Sequence, residues 1–460
     1  MDRKARGLAL LVAGAFFMEI LDATVIAPAA PHIAEDLGVQ PVTVNVAITA
    51  YLLTLAVFIP ISGWLSERFG ARRVFTVAIV VFTLASAGCA LAVNLPMLVG
   101  TRMLQGVGGA LMVPVGRLVV IRTTAKADLV RAIAYLTWPA LTAPLLAPAL
   151  GGVLSTYASW RLIFLVNIPL GLAALIVARR LFPDVRSGAP SRLDWRGFLL
   201  VAAGTAALIA GLEGVAEQHP RWPLATALLV AAAVTLIVTV QHLRRTPRPL
   251  VDLSILRVST YRVTALGGSV FRAVINAIPF LLPLFFQLGF GWTAAHAGLV
   301  VIALFAGNIG IKPLTTPLMR RFGMRPVMCG AVLASAACLL ALVTLTGSTP
   351  LPLVLLVLAL SGVFRSIGFT TYNTVAFADV PPTRMTSANT LMSTIQELGA
   401  GLGVALGALL VRLGATFTDG AEPRFRVAFL ALAILLVIPA VEALRLPSTA
   451  GNVVAGRSES

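Results

Sequence analysis

Charge is scarce in this 460-residue chain: Asp, Glu, Lys and Arg make up 12% of it, about half the share of a soluble domain. Acidic groups are scarcest, 18 against 35 Lys and Arg, which leaves a formal charge of +17. A nucleic-acid surface interleaves its cations with aromatics; here aromatics are 7% and hydrophobic residues 58%, so nucleic acid is excluded as a partner. Three cysteines, Cys89, Cys329 and Cys338, lie in apolar runs without metal-ligand spacing, which argues against disulfides or a metal site. Four histidines, His32, His219, His242 and His296, are scattered in loops or at helix ends, and no glycine-rich phosphate loop with its Lys is present. Enzyme chemistry and ATP-driven pumping by this chain alone are therefore not expected. No cofactor is expected either, and an ion gradient is the expected energy source.

What the chain has in abundance is long apolar runs. A spanning helix needs roughly 20 mostly apolar residues in a row, and lipid admits only helices or closed barrels. The runs define fourteen spans: 7–29, 43–65, 74–93, 97–121, 132–156, 162–181, 197–214, 223–240, 263–288, 294–318, 327–346, 351–377, 387–413 and 427–444. The first could imitate a secretory signal, but Glu19 and Asp22 stand inside its apolar core, so it reads as a retained helix. The expected fold class is all-α and integral to the membrane.

The charge has a plain explanation once it is sorted by span. With the N-terminus inside, 25 of the 35 basic residues fall in inside segments. Five lie outside (Arg161, Arg221, Arg412, Arg424, Arg426) and five within spans (Arg102, Arg117, Arg272, Lys312, Arg365). Such a bias places both termini in the cytoplasm of a multi-pass protein of the cell membrane. A repeat is visible too: Arg68-Phe69-Gly70-Ala71-Arg72 recurs as Arg321-Phe322-Gly323-Met324-Arg325, 253 positions on (323 − 70). Repeats of this kind mark two parallel six-helix halves with a site between them. The expected division is 1–182, an inserted helix pair with basic linkers at 183–262, 263–446, and a cytoplasmic tail at 447–460.

Ionisable groups at membrane depth cost at least ~2.5–3.5 kcal/mol each, which makes them functional candidates. Glu19 and Asp22 are three apart and share a helix face, where burial and mutual repulsion raise proton affinity, as a proton carrier requires. Arg102, followed by Gln105-Gly106-Val107-Gly108-Gly109-Ala110, is a permanent cation suited to tune such a carboxylate. Arg365 and Glu397 are the candidate pair of a second polar centre across the later bundle, with Arg272 lining the cavity. Lys312 is expected to snorkel. Gly63, Glu67, Arg68, Gly70, Arg72 and Arg73 form a tight inner loop, with Glu67 expected to pair with a basic helix end such as Arg117 in an inward gate. Pro148, Gly151 and Gly152 make the fifth span bendable and closely packed. For each of these the plain alternative is a packing or topological role.

Taken together, these residues resemble the major facilitator superfamily, and within it the drug:proton antiporters with fourteen helices. Leu21-Asp22-Ala23-Thr24-Val25 with Ala29 and Pro31 is similar to that branch's first-helix signature. Gly63, Arg68, Gly70, Arg72 and Arg73 match the superfamily's loop motif, with Glu67 in place of Asp. Arg102, Gln105, Gly106 and Gly108 match the fourth-helix motif, whose Arg is implicated in proton transfer. Ala143, Ala147, Pro148, Gly151 and Gly152 resemble the antiporter motif, with two glycines replaced by alanine. Trp160-Arg161, Phe164, Asn167, Pro169, Gly171, Asp194 and Gly197 resemble later positions. The resemblance implies two six-helix bundles with two inserted helices. It also implies proton-coupled export of hydrophobic, often cationic small molecules, by a chain expected to be monomeric. The alternatives are a proton symporter of a small metabolite and a non-transporting membrane sensor.

Overall fold

The computed structural model describes residues 3–125, 128–183, 192–216, 222–247 and 249–447. Most of the first basic linker and the tail beyond 447 fall outside the described residues, as does the side chain of Pro148. Because lipid leaves no backbone group unpaired, the apolar runs become helices: α1 (Arg3–Leu37), α2 (Asn45–Phe58), α3 (Ser62–Phe69), α4 (Ala71–Ala90), α5 (Leu95–Thr123), α6 (Leu129–Tyr157), α7 (Leu162–Leu165), α8 (Asn167–Leu181) and α9 (Trp195–Ala216). They continue as α10 (Trp222–Arg245), α11 (Ser259–Leu284), α12 (Ala294–Gly310), α13 (Lys312–Phe322), α14 (Met324–Thr344), α15 (Leu351–Ala378), α16 (Met385–Phe417), α17 (Ala421–Leu435) and α18 (Val437–Leu444). No strand occurs among the described residues.

Among the described residues, twelve segments are long and apolar enough to cross a membrane, and the pair His296–Gly310 and Lys312–Phe322, bent by 49°, adds a thirteenth if it is one span. The fifth expected span coincides with α6, which accommodates fourteen crossings. Several crossings expected to be continuous are broken. Pro60 turns α2 into α3 through a 3-10 turn, and Pro313, which has no N–H to continue the helix, opens α13 after the bend. The two repeated loops share one backbone solution: Gly70 and Gly323 have φ of 86° and 88°, a conformation only glycine adopts without strain.

The core falls into clusters. Two draw on residues 8–182, and the third draws mainly on residues 243–446. Helix α5 packs tightly because it lacks side chains where it crosses its neighbours. A Cβ on Gly106 would stand 2.7 Å from the Tyr51 carbonyl oxygen, and one on Gly108 would stand 2.8 Å from the Phe82 nitrogen. Leu at either position is expected to cost upwards of ~1–3 kcal/mol through overpacking, read as a lower thermal midpoint in detergent and a smaller folded yield.

The inserted helices α9 and α10 pair with each other, and α9 also touches α2 and α16. Asp194, just before α9, ties the pair to the chain that follows: it accepts from His242 Nε2 at 2.9 Å, the Gly197 amide at 2.8 Å and the Leu250 amide at 3.3 Å. Burial alone would raise this carboxyl, but the His242 and amide hydrogen bonds hold it below the usual carboxylate range. A lowered carboxyl stabilises the fold above its unfolded value and loses that contribution as pH falls through the folded one. An Asp194→Asn change is therefore expected to cost about 1–2 kcal/mol at pH 7. Its melting deficit should shrink on acidification below about pH 4; a constant deficit across pH would contradict the assignment.

Candidate functional site

Helix α1 carries two carboxylates, and the structure sends them to different places. Asp22, 1% exposed, points into the first half, where four helices converge on it. Arg102 Nη1 donates to Asp22 Oδ2 in a fully buried ion pair. Oδ1 accepts from Gln105 Nε2 at 2.8 Å and Asn167 Nδ2 at 2.7 Å. Gln105 also donates to Ser86 Oγ at 2.7 Å and accepts from Arg102 at 2.7 Å. The Arg102 guanidinium lies 4.1 Å over the Tyr51 ring, which satisfies its face. One carboxylate thus meets one fixed cation inside a shell of neutral donors.

Glu19, 6% exposed, lies outside that hydrogen-bonded cluster. Its Oε1 would lie 3.4 Å from a Cβ on Gly109, and it is in electrostatic reach of Glu397, Arg117 and Asp22. The spacing of three puts the carboxylates on one side of α1 but not in one site.

Between the halves, Arg117 of α5 is the central group. Its Nε donates to Asn389 Oδ1 at 2.9 Å, its Nη1 to Gln396 Oε1 at 2.6 Å, and its Nη2 to Ser393 Oγ, all three on α16. Asn389 returns a bond to the Pro114 carbonyl at 2.8 Å, and Gln396 donates to Asn373 of α15 at 2.6 Å. Arg122 Nη2 donates to Thr386 Oγ1, and a Cβ on Gly63 would collide with Thr390 Oγ1. The space left among Val12, Phe16, Arg117, Phe369, Asn373 and Gln396 is about 30 Å³, room for about one water. On the side of the two repeated loops, the halves are shut against each other.

This geometry corrects three expectations. Arg117 does not pair with Glu67; Arg122, five residues on and about 7.5 Å further along the helix, is the basic group in electrostatic reach of Glu67. Arg365 does not pair with Glu397. Helix α11 packs between α15 and α16, so Arg365 reaches Asn276 of α11 at 3.5 Å, while Glu397 is in reach of Arg117. Lys312 does not snorkel: at 6% exposure it donates to Thr370 at 2.7 Å and to Thr137, on the other half, at 3.3 Å.

The remaining candidates divide. Arg272, 1% exposed, donates weakly to Asn373 at 3.4 Å and so joins the Arg117 network. Arg72 donates to the Arg179 carbonyl at 2.6 Å, closing the end of α8 within its own half, and Arg68 and Arg73 are exposed. On α6, a Cβ on Gly151 would stand 2.5 Å from the Val25 carbonyl oxygen, whereas one on Gly152 meets nothing within 4 Å. A Gly151→Val change is therefore expected to cut folded yield and transport several-fold and Gly152→Val to leave both intact; equal effects would separate this helix contact from the site. Sequence reading passed over Asn389, Ser393 and Gln396 of α16, although their spacing of four and three is the signature of one polar helix face.

A family model described as the Major Facilitator Superfamily matches residues 12–403 and 264–456. A relative from Enterobacter sp. (strain 638), provisionally named multidrug resistance protein MdtD, is 38% identical over 457 residues, 97% of this chain and 96% of its own. One of the same name from Salmonella typhimurium is 36% identical over 454 residues, 97% and 96% of the two chains. Among solved structures, the human organic anion transporter MFSD10 (TETRAN) superposes with a TM-score of 0.70 at 14% identity, covering 96% of this chain and 100% of that one. The proton:xylose symporter XylE bound to 6-bromo-6-deoxy-D-glucose gives 0.66 at 15%, covering 97% of each. At such identities the structural likeness concerns the fold.

Proposed function

The chain belongs to the major facilitator superfamily, a multi-pass membrane transporter, and on that premise we propose that it exports hydrophobic small molecules, cationic ones included, in exchange for protons. The relatives named for multidrug resistance supply the direction of this reading. The observation that carries its mechanism is the Asp22 cluster: a buried carboxylate with one fixed cation and neutral donors, on the helix that also lines the interface through Glu19.

In this reading the protein alternates between a state closed on the basic-loop side by Arg117 and Arg122 and one closed on the opposite side. The basic-loop side is the cytoplasm of the cell membrane, by the charge bias already described. Protonation of Asp22 from outside neutralises its half of the ion pair and loosens its hold on Arg102 and α5, the helix that also carries Arg117. Release of the proton inside restores the ion pair and a site for cargo beside Glu397. One charge moved across ~150 mV releases about 3.5 kcal/mol, enough for a concentration ratio of roughly 300-fold.

The test uses everted membrane vesicles acidified inside by respiration and challenged with a panel of lipophilic cations and neutral drugs. Antiport is expected to dissipate the pH gradient on drug addition, read by a pH-sensitive dye. A gradient that deepens, as symport requires, or one that no compound moves, as a non-transporting sensor requires, overturns the reading.

A further inference from the structure

A cavity of about 820 Å³ lies on the flank of the molecule between α6 and the bent α12–α13 pair, lined by Arg131, Tyr135, Lys312, Pro313, Pro317 and Arg320 among others. Its size falls within the range of ligand sites. It is separate from the Asp22 cluster and from the Arg117 latch, neither of whose polar residues lines it.

The chemistry of its lining is one-sided. Three cations contribute, from both halves of the molecule, and no carboxylate is among the lining residues. Asp128 stands in electrostatic reach of Arg131 and Arg320, one acid beside three cations. Lys312 is the most deeply placed, eight residues before Arg320 and so about 12 Å further into the membrane. It is buried, and its ammonium spends two of its three donors on the hydroxyls of Thr137 and Thr370. A buried cation held by hydroxyls alone is costly unless an anion completes it. The proline-opened break at 311 puts it there, turning the chain by 49° between Gly310 and Lys312.

The walls complete the description. Pro313 and Pro317, four apart on one side of α13, line the cavity and are exposed, and Leu314 next to them is 56% exposed. In a spanning helix such a surface faces lipid chains. Arg131 and Arg320 lie at the ends of α6 and α13 nearest the basic loops, at the level where headgroups gather. An occupant that joins an anionic head to apolar chains fits both parts.

We propose that this cavity binds the phosphate head of an anionic phospholipid from the leaflet on the basic-loop side, with Arg131, Lys312 and Arg320 as its cationic partners and α13's proline face against its chains. Because Lys312 bridges Thr137 of one half and Thr370 of the other, the bound head sits on the seam along which the halves move. The inference does not depend on which cargo is carried or in which direction.

The experiment is binding, not transport. Full-length protein, delipidated in neutral detergent, is titrated with phosphatidylglycerol, phosphatidylcholine, dodecyl phosphate and inorganic phosphate, and adducts are counted by native mass spectrometry. Phosphatidylglycerol is expected to bind at least about tenfold more tightly than phosphatidylcholine, with inorganic phosphate not retained. Lys312→Gln is expected to remove most of that preference and Arg131→Gln to weaken it several-fold. Ala134→Phe, which fills the cavity without changing charge, should abolish the adduct, and it keeps the test available if Lys312→Gln does not fold. Equal retention of the two lipids, or a preference that survives Arg131→Gln and Ala134→Phe, overturns the proposal. Binding of dodecyl phosphate without phosphatidylglycerol overturns the lipid as occupant and points to a free amphiphilic anion instead.

Discussion

An Asp22→Asn protein is expected to lose proton-driven export by at least about 100-fold in initial rate, some 2.7 kcal/mol, while still reaching the membrane. An amide keeps the shape of a carboxylate but carries no exchangeable charge over the accessible pH range, so the proton has nowhere to bind. The change also strands Arg102, whose side chain is fully buried. Breaking a buried pair by removing one partner costs roughly 3–5 kcal/mol, so loss of fold must be told apart from loss of coupling. Asp22→Asn combined with Arg102→Gln makes the cluster neutral, with Gln105 and Asn167 still present to hydrogen-bond position 22. The double variant is expected to recover folded yield and thermal midpoint without recovering pH-driven efflux. Undiminished pH-dependent efflux in either variant would remove Asp22 from the proton path.

Arg117→Ala should have the second largest effect, on conformation. Three charge-assisted hydrogen bonds from one guanidinium to α16 hold the halves together on the basic-loop side, each worth about 1.5–3 kcal/mol net. Losing a fraction of that shifts the balance between closed and open by tenfold or more, since 1.4 kcal/mol is a factor of ten. A cysteine at Val113, which borders the small space between the halves, reports it. In a background with Cys89, Cys329 and Cys338 replaced by alanine, Val113→Cys is expected to react at least about ten times faster with a water-soluble thiol reagent when Arg117 is Ala. Arg117→Lys, which keeps the charge but loses the fork, should fall between. An unchanged rate would mean that the halves are held by apolar packing and that Arg117 is no latch. Efflux should fall in step with the accessibility change, because a transporter that rests open on one side has lost half of its cycle.

How much of this was legible beforehand depends on the kind of fact. Asp22 and Arg102 stood out as candidates because each is a charge in an apolar run, visible without knowing its neighbours. That they meet was not, since 80 residues separate them and only the crossing of α1 and α5 brings them together. The Gly106 and Gly108 stripe announced a close crossing, but the identity of the helices it meets, α2 and α4, did not follow from it. Depth alone suggested Arg365 with Glu397, and depth is not enough: α11 stands between them. The reading of Lys312 as a snorkelling residue failed because it assumed a straight helix, and the Pro313 break turned the chain.

Lipid makes some facts local. Lipid sets one apolar background at membrane depth, so apolar runs, the uneven distribution of the arginines over the loops, the Gly70 and Gly323 repeat and the rare buried charges could be read one residue at a time. From these the sequence by itself determined that the chain crosses the membrane many times, in two related halves, with its charges at membrane depth confined to a few positions. Only the tertiary structure decided the partnerships: Asp22 with Arg102 inside one half, Arg117 with α16 across the seam, and Lys312 with a threonine of each half beside a cavity of about 820 Å³. A partner is chosen by the rotation of each helix and the order in which helices pack, and both are set by contacts between residues far apart in the chain.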